Sequence, residues 1–341
     1  MRKQWIKLFV IIVITLLFLY LFFRGVNWEE VIFYLKGFNK NFLPIIIALL
    51  PFHYITRAWK WKYLILSRKR KVKFWNLFSA YVIGFTVTFL LPFRAGEVIR
   101  PVYLGQKERI SRSFSFGTVV VERIFDLLTV LFLFGIFLLL KPFYKPYFTE
   151  RKKALSSLTN FSLISLTIGA ILLVLILFLY FFQGKSISFI TRILKPFPKL
   201  SQKAIHISTN FLDGLKFFHS LKNLILYSVF SIIQWLFIGF FSWVVLYSFN
   251  IKFPFPLILP YLFLTMVGAS IPTPGMIGGF HALSKFGLIS LYGVNTNLAI
   301  GTTTVLHAII YVGTILMGFI ILWKEGLSFA YVRRLEKRGS K

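Results

Sequence analysis

The sequence predicts an all-α polytopic membrane protein: about six full transmembrane helices plus two opposed re-entrant helical hairpins, in an inverted-repeat, transporter-like arrangement. Three observations predict it. Hydrophobic residues make up 57% of the 341-residue chain and charged residues only 15%, against about 25% in a soluble domain. Mean hydropathy is +0.76, and several apolar runs reach the roughly 20 residues that a helix needs to cross hydrocarbon. These runs are continuous and lack the period-two alternation of a membrane-spanning β-barrel.

Full spans are expected at about 5–23, 42–66, 114–140, 161–182, 223–249 and 297–323. The first follows MRKQWIK and reads LFVIIVITLLFLYLFF. It is long and no small-residue cleavage site follows, so it reads as an uncleaved span. Two further apolar regions, about 74–105 and 255–293, are broken. The first breaks at LPFRAG, with Pro92 and Gly96. The second breaks at IPTPGMIGG, with Pro272, Pro274, Gly275 and Gly278. Proline removes backbone donors and glycine permits turns and close backbone approach. Each half is too short to span, but each region is long enough to enter a membrane, turn and leave on the same side. Such a break is tolerated only where protein or a polar cavity covers the freed backbone groups. For the second break a plain tight loop between two short helices is an equal alternative.

Forty basic residues against ten acidic ones give a formal net charge of +30. In a chain this apolar, basic residues collect in cytoplasmic loops and meet anionic headgroups, so no nucleic-acid partner is expected. The absence of cysteine excludes disulfides, thiolate metal sites and cysteine nucleophiles. The five histidines are scattered, so no metal or other cofactor is expected. Basic clusters at Lys60–Lys73, at Lys107–Arg112, in the loop 183–222 and in the C-terminal tail fall on one side if both broken regions are re-entrant. Positive-inside bias makes that side cytoplasmic, with both termini inside. The basic loop 141–156 is the one exception. The chain then forms a single integral membrane domain over 1–341. Its helix–hairpin–helix units, about 42–140 and 223–323, run in opposite orientation. Broken helices of two inverted repeats meet near the bilayer midplane, at the substrate position of such folds.

Most acids sit in loops: Glu29, Glu30, Glu108, Glu150, Asp213, Glu325 and Glu336. Three do not. Glu97 is in the first break, and Glu122 and Asp126 lie in VVVERIFDLLTV, four apart and so on one helix face, with Arg123 beside them. An ionisable group at the centre of a span costs roughly 2.5–3.5 kcal/mol on insertion scales and needs a reason. One reading is a membrane-embedded cavity where Arg94, Arg100 and Arg123 offer planar donor forks to a phosphate. Glu97, Glu122 and Asp126 would orient those arginines or bind an ammonium group, and the helix N-termini after each break would favour an anion. The other reading is an ion-pair network that pins the first hairpin to the 114–140 helix without touching substrate. In YITRAWKWKYLIL, Arg57 with Trp59 and Trp61 reads first as an interfacial anchor, and second as a guard of the cavity's cytoplasmic mouth. His281 reads first as a packing or hydrogen-bonding residue and second as a proton relay.

Taken in order, LPFRAGEVIRPVYL, VVVERIFDLLTV and IPTPGMIGGF resemble the three signatures of the lysylphosphatidylglycerol synthase/flippase transmembrane family, over nearly the whole chain. This family supplies the membrane half of the bacterial multiple peptide resistance factor and also occurs as stand-alone proteins. The resemblance implies a flippase-like domain that moves a polar-headgroup lipid between leaflets. Arg94, Gly96, Glu97 and Arg100 match the first signature, and Glu122, Arg123 and Asp126 the second. Pro272, Pro274, Gly275 and Gly278 match the third. Two positions depart: Met276 stands where a glycine is usual, and His281 where an acid is usual. The second departure leans the substrate away from a lysylated lipid and towards an anionic or neutral one. The chain ends about eighteen residues after its last span, too short a tail for a folded synthase domain, so lysyl transfer is not carried over.

The expected function is therefore transport of a polar-headgroup, phosphate-containing lipid across a bacterial or archaeal cytoplasmic membrane by alternating access. No G-x-x-x-x-G-K-[ST] loop is present, so flipping would be facilitated or ion-coupled, with Glu97 or His281 as coupling candidates. The rival is a membrane-embedded transferase or hydrolase acting on a polyprenyl-phosphate lipid, with Glu97, Glu122 and Asp126 as acid–base groups. No nucleophile–base set supports it. A third reading is a scaffold that docks a cytoplasmic lipid-modifying enzyme on the loop 183–222. A homo-oligomer is left open.

Overall fold

The computed structural model describes residues 2–67, 69, 71–91, 94–140, 152–182 and 221–327, with isolated positions between 143 and 205. Among these residues every regular element is helical. The helices are α1 (Arg2–Phe23), α2 (Trp28–Lys36), α3 (Leu43–Leu66), α4 (Phe74–Leu90), α5 (Gly96–Glu108) and α6 (Arg112–Leu139). After these come α7 (Lys152–Phe181), α8 (Leu221–Ser248), α9 (Ile258–Ser270), α10 (Gly279–Tyr292) and α11 (Thr296–Lys324).

Helices stand at all six places where full spans are expected, and among the described residues three are long and apolar enough to cross a membrane: Lys40–Leu66, Leu221–Ser248 and Thr296–Lys324. A fourth is possible only if Phe9–Phe23 and Trp28–Lys36, bent by 78° at their junction, count as one span. Three of the six expected spans thus meet that test among the described residues, and the other three are not confirmed as full spans. One physical reason is the set Glu122, Arg123 and Asp126, which interrupts the apolar run of α6. The basic loop 183–222 and the C-terminal tail lie almost wholly outside the described residues, as do most of the loop 141–156 and the break residue Pro92.

Both broken regions are helix pairs packed on each other, α4 on α5 and α9 on α10. Their close crossings use glycine in the same way. A Cβ on Gly96, the first residue of α5, would run into the Gly84 carbonyl of α4. A Cβ on Gly279, the first residue of α10, would fall 2.6 Å from the Gly268 carbonyl oxygen of α9. Real Cβ atoms do not come so close, so both pairs need a bare backbone at the contact.

The packing pattern repeats between the two units. In the first, α3 packs on α4, α4 on α5 and α5 on α6; in the second, α8 packs on α9, α9 on α10 and α10 on α11. Between units, α3 packs on α8, while α6 lies on α9 and α11 lies on α4. Exchanging the units maps these contacts onto themselves. Peripheral helices then lean on this double unit: α7 on α6, α2 on α11 and α1 on α10. Asn297 joins α2 to α11, accepting from the Asn27 N–H at 2.9 Å and donating to Glu30 at 2.8 Å. Lys285 of α10 donates to the carbonyls of Phe22 (2.8 Å) and Arg24 (3.0 Å), capping the C-terminal end of α1.

At one end of the first unit, Glu108 closes α5 rather than lying in a loop. It accepts from Lys69, from Asn76 Nδ2 at 2.6 Å and from the Lys73 backbone N–H at 3.1 Å. Burial alone would raise its pKa, but these donors outweigh it and hold the carboxyl below its ordinary value. Glu325, after α11, accepts from Trp75 Nε1 at 2.7 Å and from Lys107, tying α11 to the first hairpin.

Two outcomes test this account. Gly96→Ala forces apart two backbones and is expected to destabilise the detergent-solubilised protein by about 1–3 kcal/mol. Gly169→Ala, whose Cβ would meet only Leu131 at 3.5 Å, should change thermal unfolding little. Glu108→Gln should cost about 1 kcal/mol near neutral pH. Because the folded carboxyl titrates below its unfolded value, that cost is fully present above the ordinary carboxylate range. It should fade as pH falls through the lowered folded value, and a cost independent of pH would refute the role given to these donors.

Candidate functional site

A cavity of about 570 Å³ lies where the two units meet. Its walls come from α3, α4, α5 and α6 on one side and from α8, α9, α10 and α11 on the other. Arg57, Arg94, Glu97, Arg100, Arg123 and Asp126 line it, all from the first unit. The second unit supplies mainly apolar wall, including Ile238, Leu262, Phe280 and Ile310, together with His307. One side can thus take charge while the other can take hydrocarbon.

The charged wall is built on α6. Glu122 is fully buried, and an unpaired carboxylate there would cost several kcal/mol. Arg100, on α5, sets two guanidinium nitrogens 3.2 and 3.0 Å from its two oxygens. Tyr81 OH donates to it at 2.5 Å, and Arg123 Nη2 approaches at 2.5 Å. The Arg100 guanidinium lies 4.6 Å from the Trp61 ring centre and 4.3 Å from that of Tyr81, two rings set edge to face, so both add cation–π attraction to the buried cation. One turn on, Asp126 pairs with Lys60 of α3, accepts from Trp235 Nε1 of α8 at 3.0 Å, and lies 3.2 Å from Arg123 Nη2. Three helices of the first unit and one of the second therefore converge on two carboxylates four residues apart.

Nearer the break the charges are less tightly matched. Arg94 sits in the left-handed region, at φ +52°, which costs a non-glycine residue energy. From there it donates to Glu97 at 3.3 Å and to the Ala269 carbonyl near the end of α9, so it bridges the two broken segments. Glu97 is 37% exposed and also faces Arg123 at 4.0 Å. Arg57 has no carboxylate within ion-pairing distance: its Nε donates to His53 Nε2 at 3.1 Å and its guanidinium lies 4.9 Å from the Phe85 ring centre. Buried guanidinium N–H groups without an acceptor remain on Arg57 (Nη1), Arg94 (Nε), Arg100 (Nε) and Arg123 (Nε).

The second break closes the cavity from the other unit. Gly278 adopts φ +94°, open only to glycine. Met276 adopts φ +61°, so the position where the resemblance leads one to expect glycine does call for a left-handed residue. His307 Nε2 lies 2.9 Å from the Gly275 carbonyl. His281 is not among the cavity-lining residues. Its ring packs 4.5 Å from His307 and its Nδ1 accepts from the Gly278 N–H at 3.4 Å.

The structure thus brings Arg57, Arg94, Glu97, Arg100, Arg123 and Asp126 onto one surface, with Glu122 and His281 one layer behind. It corrects the reading of Arg57 and Trp61 as an interfacial anchor. Both are buried, because their face of α3 turns inward, and Trp61 Nε1 donates to Thr118 of α6 at 2.9 Å; only Trp59 is exposed enough for that role. It also corrects Lys60, which belongs to this network and not to the cytoplasmic basic cluster. Its spacing of three from Arg57, inside an apolar span, put both on one helix face and was a usable signal. Trp235, His53 and His307 carried no comparable mark in the sequence.

Removing one partner of a buried ion pair costs about 3–5 kcal/mol, because the other charge is stranded. Asp126→Ala should therefore lower thermal stability strongly, and adding Lys60→Met to it should restore part of the loss. A double variant no more stable than Asp126→Ala alone would contradict the pairing.

The family model described as the lysylphosphatidylglycerol synthase TM region matches residues 4–318. The UPF0104 membrane protein MJ1595 of Methanocaldococcus jannaschii is 26% identical over 136 residues, 39% of this chain and 40% of that protein. The aligned part thus spans well under half the length of that curated relative. No solved structure matches the chain. The family match, running from the first helix to the last, extends over far more than half of the sequence, and the chain belongs to the lysylphosphatidylglycerol synthase transmembrane-region family.

Proposed function

We propose that this protein moves a lipid with a phosphate-containing headgroup between the leaflets of a cytoplasmic membrane, with both termini on the cytoplasmic side. The observation that carries this reading is the cavity at the junction of the two units, charged on one wall and apolar on the other. A headgroup can lie against Arg57, Arg94 and Arg123 while its chains stay against apolar wall or in surrounding lipid. In a bilayer, such charges belong to a pathway more readily than to a packed core.

The repeated packing of α3–α6 and α8–α11 supports reading them as an inverted repeat, with α4–α5 and α9–α10 as re-entrant hairpins entering from opposite faces. Alternating access then follows from rocking one unit against the other. Arg94, which joins the first break to the end of α9, is the contact that must break and re-form during that movement.

Headgroup translocation in proteoliposomes tests the proposal. Fluorescent phospholipids should cross faster than in protein-free vesicles and be recovered chemically unchanged. Arg94→Ala and Arg57→Ala, in protein that still folds, should slow transfer by at least about tenfold, the effect of losing one charge-assisted hydrogen bond. If no lipid moves while a control flippase in the same preparation works, the transport reading fails.

A further inference from the structure

We propose that the ligand of this cavity is a dianion, a phosphate monoester at the end of a lipid, and not a phosphodiester or an amino headgroup. The inference rests on the reading of the cavity as a headgroup site and narrows the chemistry of that headgroup.

Charge is the first argument. Five cations, Arg57, Lys60, Arg94, Arg100 and Arg123, share this region with three carboxylates, Glu97, Glu122 and Asp126. Two positive charges are left over in a largely buried setting, where uncompensated charge is costly. The surplus has a location. Glu122 is shared by Arg100 and Arg123, Asp126 by Lys60 and Arg123, and Glu97 by Arg94 and, at 4.0 Å, Arg123, while Arg57 has no carboxylate within ion-pairing distance. A singly charged phosphodiester would leave one of these cations uncompensated.

Hydrogen bonding is the second argument, and it is independent of net charge. Four guanidinium N–H groups, on Arg57, Arg94, Arg100 and Arg123, are buried without an acceptor, and all four arginines line the same cavity. Buried donors are almost always satisfied in native proteins, and a ligand's oxygens would satisfy these once the guanidinium groups turn towards the cavity. A phosphate monoester brings three strong acceptor oxygens and close to two negative charges at neutral pH. A phosphodiester brings only two unesterified oxygens. The third argument excludes an ammonium group: each of the three carboxylates already faces a cation, so none is free to receive one.

The test is binding by the full chain in phosphatidylcholine nanodiscs at low salt. Phosphatidic acid and farnesyl phosphate carry the monoester on different chains, phosphatidylglycerol carries a diester, and inorganic phosphate carries no chain. Native mass spectrometry and calorimetry give the affinities. Both monoester lipids should bind at least about tenfold more tightly than phosphatidylglycerol, the ratio expected for one additional charge-assisted contact. Arg57→Gln should remove that preference. Glu97→Gln, at a half-exposed position where folding is safe, should strengthen phosphatidic acid binding by enlarging the surplus. Phosphatidylglycerol binding as tightly as phosphatidic acid, with no response to Glu97→Gln, overturns the inference. Translocation of phosphatidylglycerol in the vesicle assay would leave the transport reading standing in that case. Inorganic phosphate binding as tightly as the lipids would support the dianion site and overturn its lipid source.

Discussion

Glu122 lies fully buried midway along α6, where an unpaired carboxylate would be strongly unfavourable. Much of the first unit can be traced to neutralising it. Arg100 must reach it from α5, which is possible only because α5 runs close beside α4, and that closeness depends on Gly84 and Gly96 lacking side chains. Tyr81 of α4 must present its hydroxyl from the other direction. The rings of Trp61 and Tyr81 then add cation–π attraction to the same guanidinium. A glycine contact, an ion pair and an aromatic contact are three parts of one constraint.

Asp126 carries the constraint into the second unit. Its partner Lys60 ties α6 to α3, and its bond from Trp235 ties α6 to α8. The two units are therefore joined by polar contacts at the cavity floor and by packing around it. At the first break Arg94, from a left-handed backbone position, donates to the Ala269 carbonyl of α9 and so adds a further polar contact between the units.

The cavity is also asymmetric in chemistry, although the packing around it is nearly symmetric under exchange of the units. All of its carboxylates and arginines come from the first unit. The second unit has the same glycine crossing between its paired helices, but α10 carries Phe280 and Leu283 at the places where α5 carries Glu97 and Arg100. Lys285 is spent on the end of α1, and His281 on contact with His307. A repeated packing pattern is thus compatible with a division of chemistry between the two units.

The sequence by itself determined the membrane class, the two breaks and the signature residues, because each leaves a local mark: an apolar run, a proline beside glycine, or a charge where hydrophobic residues should be. It also marked Arg94, Glu97, Arg100, Glu122, Arg123 and Asp126 as a set, and the family they indicate is the one to which the chain belongs. What it could not determine was which charges neutralise which. Lys60 looked like one more cytoplasmic lysine and Arg57 like an interfacial anchor, because exposure depends on which face of α3 meets α6, and that is set by packing. Trp235 lies 109 residues from Asp126 and His307 lies 32 from Gly275, and neither had a local signal. The tertiary structure decided them because hydrogen bonds and ion pairs act over a few ångströms in space, whatever the distance along the chain.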